Sequence, residues 1–196
     1  MKNISVIGLG SMGYGIAQSL IRSGYNVYGQ DKNTVQQKKL IEEGGQDAEI
    51  PFGDLDAVII VVLNEAQTRD IIFGEEGIAD KLKKHTLVIV CTTVSPNFAK
   101  EMATACENKE LLYLDAPISG GSIKSSQGKL SYMVSGSKNA LIAAKPILDS
   151  TSETVFEFGE VVGSGSAMKA VNQMLAGIHI AAMAEAITFG ITQGIE

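Results

Sequence analysis

The sequence predicts an α/β protein built on a mostly parallel, doubly wound sheet, and three observations carry that expectation. Short apolar, β-rich runs alternate with stretches of helical spacing along most of the chain. The run Val58-Ile59-Ile60-Val61-Val62 is apolar on both faces, as a central strand covered by helices on each side must be. The first run leads directly into Gly8-Leu9-Gly10-Ser11-Met12-Gly13, a glycine-rich turn placed between a strand and a helix.

Taken in order, the strand candidates are residues 4–8, 26–30, 57–63, 86–91, 111–115, 130–135 and 154–158. Helical spacing occupies roughly 12–28, 33–43, 65–72, 95–107 and 137–149. Ser95-Pro96 gives the fourth of these a serine N-cap and a proline in its first turn. After Gly163-Ser164-Gly165-Ser166 the pattern changes, and a helical stretch runs on without an obvious stop signal. From Met174 to Ile191 its only polar side chains are His179, Glu185 and Thr188, so it is apolar nearly all round and needs cover on several sides. Its richness in Ala and Gly and its central carboxylate argue against a membrane span. The division expected is therefore 1–163 as one α/β domain and 164–196 as a long interdomain helix beginning a second, all-helical domain. That domain, a partner chain or both would supply the cover.

At 196 residues, 45% hydrophobic and 19% charged, the chain can bury one large core and begin another. Lys and Arg total 16 against 22 Asp and Glu, and the net charge of -6 offers no basic field to nucleic acid. Cys91 and Cys106 form no C-x-x-C, and the chain enters its first strand within a few residues, which fits a reducing cytoplasm. His85 and His179 are isolated from each other and from the cysteines, so no metal site is expected. Both histidines read as structural, His179 meeting a polar contact inside the helix packing, and Cys91 reads as a small core residue.

The glycine turn is informative because of where it stands. Its glycines permit a tight turn and close approach of a pyrophosphate to backbone N–H groups at a helix N-terminus. The second strand ends at Asp31, eighteen residues beyond Gly13, where a carboxylate can accept hydrogen bonds from ribose hydroxyls and repel a 2′-phosphate. Strand, glycines and acid together describe a Rossmann-type site for NAD, with Lys32 keeping NADP as the lesser alternative. A helix-capping role for Asp31 is the bland reading.

Further along, Lys169 is flanked by Met168, Ala170 and Val171. In an apolar cleft such a lysine loses protons more readily and can act as a base; on a surface its stem merely covers the helix. Ser119-Gly120-Gly121 precedes a helical segment and exposes consecutive N–H groups suited to a carboxylate, or is a plain strand-to-helix turn. Lys124, one turn on, either adds charge for a substrate or is solvated. Asn172 and Gln173 share a helical face with Lys169, so at least one amide should reach the cleft.

Leu114-Asp115-Ala116-Pro117-Ile118-Ser119-Gly120-Gly121 and Gly163-Ser164-Gly165-Ser166-Ala167-Met168-Lys169-Ala170-Val171-Asn172-Gln173 together resemble the β-hydroxyacid dehydrogenase family, which includes 3-hydroxyisobutyrate dehydrogenase. Residues 119–128 and 172–182 look most like its L-threonate dehydrogenase branch. The resemblance implies that Lys169 is the catalytic lysine and that Ser119, Gly120 and Gly121 contact a substrate carboxylate. It places Thr93 beside the nicotinamide and Leu63 and Asn64 on the cofactor rim. Many members carry Asn four residues after the lysine, where this chain has Gln173, with Asn172 one place earlier. The family normally continues into an all-helical domain of about a hundred residues, which closes the cleft and adds a second lysine. The function expected is hydride transfer between NAD and a small hydroxy acid such as L-threonate or a 3-hydroxy acid, in a homo-oligomer formed through the C-terminal helix. The alternatives are a non-catalytic nicotinamide-binding module and an NADP-dependent reductase of small aldehyde acids.

Overall fold

The alternation of apolar side chains along the central strands decides the layers. A computed structural model describes residues 2–47 and 49–195. The chain runs β1 (Asn3–Ile7), α1 (Gly13–Arg22), β2 (Asn26–Gln30), α2 (Thr34–Glu42), β3 (Ala57–Ile60), α3 (Glu65–Phe73), β4 (Leu87–Val90) and α4 (Pro96–Glu107). It continues through β5 (Leu112–Asp115), β6 (Ile118–Ser119), α5 (Gly121–Ser126), β7 (Leu130–Gly136), α6 (Lys138–Thr151), β8 (Ser152–Glu157) and α7 (Ser164–Thr192). Ala57, Ile59, Leu87 and Ile89 face one core with Ile16, Leu20, Ala144 and Ile147 of α1 and α6. Val58, Ile60, Val88 and Val90 face a second core with Ile72, Phe98 and Met102 of α3 and α4. A sheet buried on both faces has no polar side, which is why these strands read as unbroken apolar runs.

The strand order is β2-β1-β3-β4-β5-β7-β6, with β8 beside β7. From β2 to β5 every neighbouring pair is parallel. β7 runs antiparallel to β5 and β6 and parallel to β8. Successive connections therefore leave β1 in opposite directions, toward β2 and then back to β3. The crevice at the carboxyl ends of β1 and β3 is the place where such sheets bind ligands.

Two features differ from the sequence reading. The first helix stops at Arg22, six residues short of the expected end, because Gly24 takes a φ of +85°. The Gly24 N–H then donates to the Ile21 carbonyl and the Tyr25 N–H to that of Leu20, which closes the helix in a Schellman turn and releases 26–30 for β2. The second difference is the pair β6 and α5, too short to show a periodicity of their own.

α7 is 29 residues long, and only Gly165, Ser166 and Lys169 of it are buried. Ile178, Ile180, Met183, Ile187 and Phe189 are exposed, so the described chain leaves the apolar length of this helix uncovered. His179 is exposed as well, and the polar contact expected for it within the packing is not made among the described residues. The helix is long and apolar enough to cross a membrane by length and composition. Its first turns, however, are seated in the α/β core, and Glu185 lies midway along the rest.

Candidate active site and cofactor cleft

The glycine turn is tight because two of its glycines have no room for a side chain. A Cβ on Gly8, whose φ is +95°, would lie 2.1 Å from the Val61 carbonyl oxygen, and one on Gly13 would lie 1.8 Å from that of Gly8. Gly10 differs, because a Cβ there would meet nothing within 4 Å and would project into the open cleft. The backbone donors of the turn divide in the same way. Gly8 N–H donates to the Gln30 carbonyl at 2.8 Å, and Leu9 N–H donates to Asp31 Oδ2 at 2.6 Å. Leu9 thus serves as scaffold, its side chain in the core. Among the described residues, the N–H groups of Gly10, Ser11 and Met12 donate to no protein acceptor. They stand at the positive end of α1, where a pyrophosphate binds well.

A cleft of about 430 Å³ opens between the ends of β1, β2 and β3 and is lined by Gly8, Gly10, Asp31, Lys32, Leu63, Gln67 and Ile71. A second hollow of about 480 Å³ lies across the glycine turn, where Ser11 and Tyr14 face Asn33 and Ser122. Asp31 borders both. Its Oδ1 also accepts the Asn33 N–H at 2.7 Å, so the carboxylate braces the turn while leaving lone pairs toward the clefts. Open glycine, free N–H groups and acid fit a nicotinamide dinucleotide. Asp31→Ala should weaken NAD binding about tenfold or more, the scale of a lost charge-assisted hydrogen bond. Calorimetric titration checks this, and unchanged affinity would remove Asp31 from the site.

Gln67 and Ile71 escaped the sequence reading. The available signal was their spacing of four on α3, which puts both on the cleft face. Asn64 caps α3, its Oδ1 accepting the Gln67 N–H at 2.9 Å. Thr93 is exposed just past β4, whereas the hydroxyl of its neighbour Thr92 accepts the Val62 N–H at 3.3 Å.

The second group of residues meets where β6 faces α7. Lys169 is 6% exposed, and its Nζ donates to Ser119 Oγ at 2.7 Å. Burial holds this ammonium below the ordinary lysine value, favouring the neutral amine. Asn172 Nδ2 reaches the same Ser119 Oγ at 3.4 Å and also Gln173 Oε1 at 3.4 Å. Of the two amides Asn172 is the one joined to the Lys169 cluster, while Gln173 is exposed. Gly120 and Gly121 have φ values of +134° and +74°, a conformation that turns the chain sharply out of β6 into α5. Lys124 is not drawn into this cluster; it pairs with Glu153 at 3.2 Å on the surface.

One joint links the two groups. Ser125 of α5 is fully buried, and its Oγ donates to the Met12 carbonyl at 2.5 Å. Ser19 Oγ donates to the Ser125 carbonyl at 3.2 Å, and a Cβ on Gly15 would lie 2.5 Å from Ser125 Oγ. The glycine turn and the Ser119-Gly120-Gly121 turn are therefore braced against each other.

A switch-point crevice, a glycine turn with free donors and an acid at the end of the second strand define a Rossmann-type dinucleotide-binding domain. Residues 3–159 match the family described as the NAD binding domain of 6-phosphogluconate dehydrogenase. The chain is 43% identical to the L-threonate dehydrogenase of Haemophilus influenzae and 40% identical to that of Escherichia coli, each match covering 98% of this chain and 65% of the relative. A crystal structure of 3-hydroxyisobutyrate dehydrogenase from Salmonella typhimurium superposes with a TM-score of 0.93 at 39% identity, over 100% of this chain and 69% of that one. The chain belongs to the NAD-binding domains of the 6-phosphogluconate and 3-hydroxyisobutyrate dehydrogenase family. It spans about two thirds of the length of the curated relatives it matches.

Proposed function

We propose that this protein oxidises a small hydroxy acid, L-threonate foremost, with NAD as acceptor and Lys169 as the base. The observation that carries the reading is the buried Lys169 amine held 2.7 Å from Ser119 Oγ, beside the Gly120-Gly121 turn. Bound NAD supplies the acceptor for the hydride leaving the carbinol carbon. The rest falls to the chain. Backbone N–H groups at the 119–121 turn hold the substrate carboxylate. Ser119 Oγ and the Asn172 amide orient the hydroxyl, and the neutral amine of Lys169 takes its proton as the hydride departs. The L-threonate preference rests on the relatives that carry that name. Asp31 supports NAD over NADP, because its carboxylate repels a 2′-phosphate.

The test is to supply NAD and L-threonate and follow nicotinamide absorbance, with D-threonate and 3-hydroxyisobutyrate as competitors and NADP in parallel. Turnover of L-threonate ahead of the others supports the proposal; NAD binding with no response to any hydroxy acid favours a non-catalytic module. The oxidation should also depend on pH in a specified direction. Only the neutral amine accepts a proton, so kcat/KM rises with pH through a midpoint below that of an ordinary lysine, and Lys169→Met lacks this limb. A rate that falls with pH over that range contradicts the role given to Lys169.

A further inference from the structure

β5 ends in Asp115, whose side chain has no exposed surface. A carboxylate buried this deeply requires donors, and four hydrogen bonds reach it from two other elements. Ser166 Oγ donates to Oδ1 at 2.6 Å. The Ser166 N–H, the Gly163 N–H and Ser135 Oγ donate to Oδ2 at 2.9, 3.2 and 3.0 Å. Gly165 N–H donates in turn to Ser135 Oγ at 3.1 Å. The first turn of α7 is pressed against the sheet at the same point, since a Cβ on Gly165 would lie 2.3 Å from the Met133 carbonyl oxygen. Burial pushes the Asp115 carboxyl above the usual carboxylate range, and the bonds from Ser166, Ser135 and Gly163 oppose that rise.

The position of this cluster matters more than its strength. Ser119 lies four residues beyond Asp115, and Lys169 lies three residues beyond Ser166. The segment 115–119 therefore grips α7 twice, once at Ser166 through Asp115 and again, about one turn on, at Lys169 through Ser119. Two grips one turn apart fix the rotation of the helix about its axis as well as its depth.

We propose that Asp115 is a positioning residue, a latch on the first turn of α7 that sets the rotation and depth at which the Lys169 amine meets Ser119. It touches neither substrate nor cofactor. The inference rests on the reading of Lys169 as the base. A latch acts by shape, so an isosteric amide can replace it. Asparagine would accept the three Oδ2 donors with its carbonyl oxygen and donate its N–H to Ser166 Oγ, whereas alanine would leave all four donors without a partner.

The test titrates Lys169 itself, by carbon NMR of its Cε resonance against pH, identified by its loss in Lys169→Met. In Asp115→Ala the midpoint should move up toward that of an ordinary lysine as the amine gains water. Oxidation should lose about 10²-fold in kcat, with NAD affinity unchanged because the glycine turn is intact. Asp115→Asn should keep both the wild-type midpoint and kcat. Ser166→Ala removes one bond of the four and should shift the midpoint the same way by less, which keeps the test open if Asp115→Ala does not fold. An Asp115→Ala or Ser166→Ala protein that melts cooperatively with an unmoved Lys169 titration overturns the latch. So does an Asp115→Asn protein that behaves like the alanine variant. Failure of the functional reading looks different: Lys169→Met would then retain turnover, while the titrations report the latch independently.

Discussion

Lys169→Met is expected to lower hydroxy-acid oxidation by about 10²–10⁴-fold, the usual contribution of a positioned general base, while leaving NAD affinity unchanged. The second half follows from separation of the parts, since Lys169 meets β6 through Ser119 and shares no hydrogen bond with the glycine turn. The same substitution should stabilise the fold at neutral pH. Because burial depresses the Lys169 pKa, the folded state holds its proton less well than the unfolded chain. Stability is therefore lost as pH falls from the unfolded value to the folded one, and below both the burial penalty is present in full. Methionine keeps the length and apolar stem without that penalty, so its melting temperature should exceed wild type at neutral pH. The gap should close at alkaline pH, where the amine is neutral in both states. Steady-state kinetics, calorimetric titration with NAD and melting curves at two pH values check the three parts. Retained turnover would end the assignment of Lys169 as base.

The fold was readable in the sequence wherever a single strand or helix carries its own pattern. Val58 through Ile60 alternate between two cores, so the absence of a polar face announced a central parallel strand. Where the chain relies on tertiary partners the signal fades. β6 has two residues and α5 six, and both exist because Ser125 finds the Met12 carbonyl and Ser119 pairs with Ser131 across β7. No local periodicity encodes such contacts. The end of α1 is a different case, because Ser23-Gly24 is a legible stop that the apolar spacing beyond it concealed.

The candidate site divides along the same line. Gly8, Gly10, Gly13 and Asp31 were legible because the dinucleotide turn is local in sequence. Lys169 and Asn172 lie fifty residues or more beyond Ser119, and their convergence on it needs the whole of β7, α6 and β8 to bring α7 back to β6. Asp115 illustrates the limit most sharply. In the sequence it is one acid at the end of an apolar strand, and only its partners on β7 and α7 reveal that it ties the end of β5 to the first turn of α7. The demand of α7 for cover was equally plain from its composition, since a helix apolar all round has no face for water. Within the described residues that demand is unmet.

Two glycines in the same turn should fail in opposite ways, and the contrast is the largest effect expected after Lys169. Gly13→Ala places a methyl group 1.8 Å from the Gly8 carbonyl oxygen, with the Val61 side chain also close at 3.2 Å. Backbone cannot yield as a flexible side chain can, so the junction of β1, β3 and α1 must open. The expected loss is about 3 kcal/mol or more, at the upper end of overpacking effects. NAD binding would be lost along with the fold of the turn. Gly10→Ala meets nothing within 4 Å, and Gly10 does not have a positive φ, so stability should stay within about 1 kcal/mol of wild type. Its methyl group would instead stand in the cleft, between the free N–H groups and the approaching pyrophosphate. NAD affinity should then fall about tenfold or more, equivalent to about 1.4 kcal/mol, in a protein that melts normally. Chemical denaturation paired with NAD titration separates the two. A stable Gly13→Ala protein would mean that the turn is looser than its contacts indicate. A Gly10→Ala protein with native affinity would mean that the pyrophosphate passes elsewhere, and the free donors of Gly10, Ser11 and Met12 would then need another ligand to explain them.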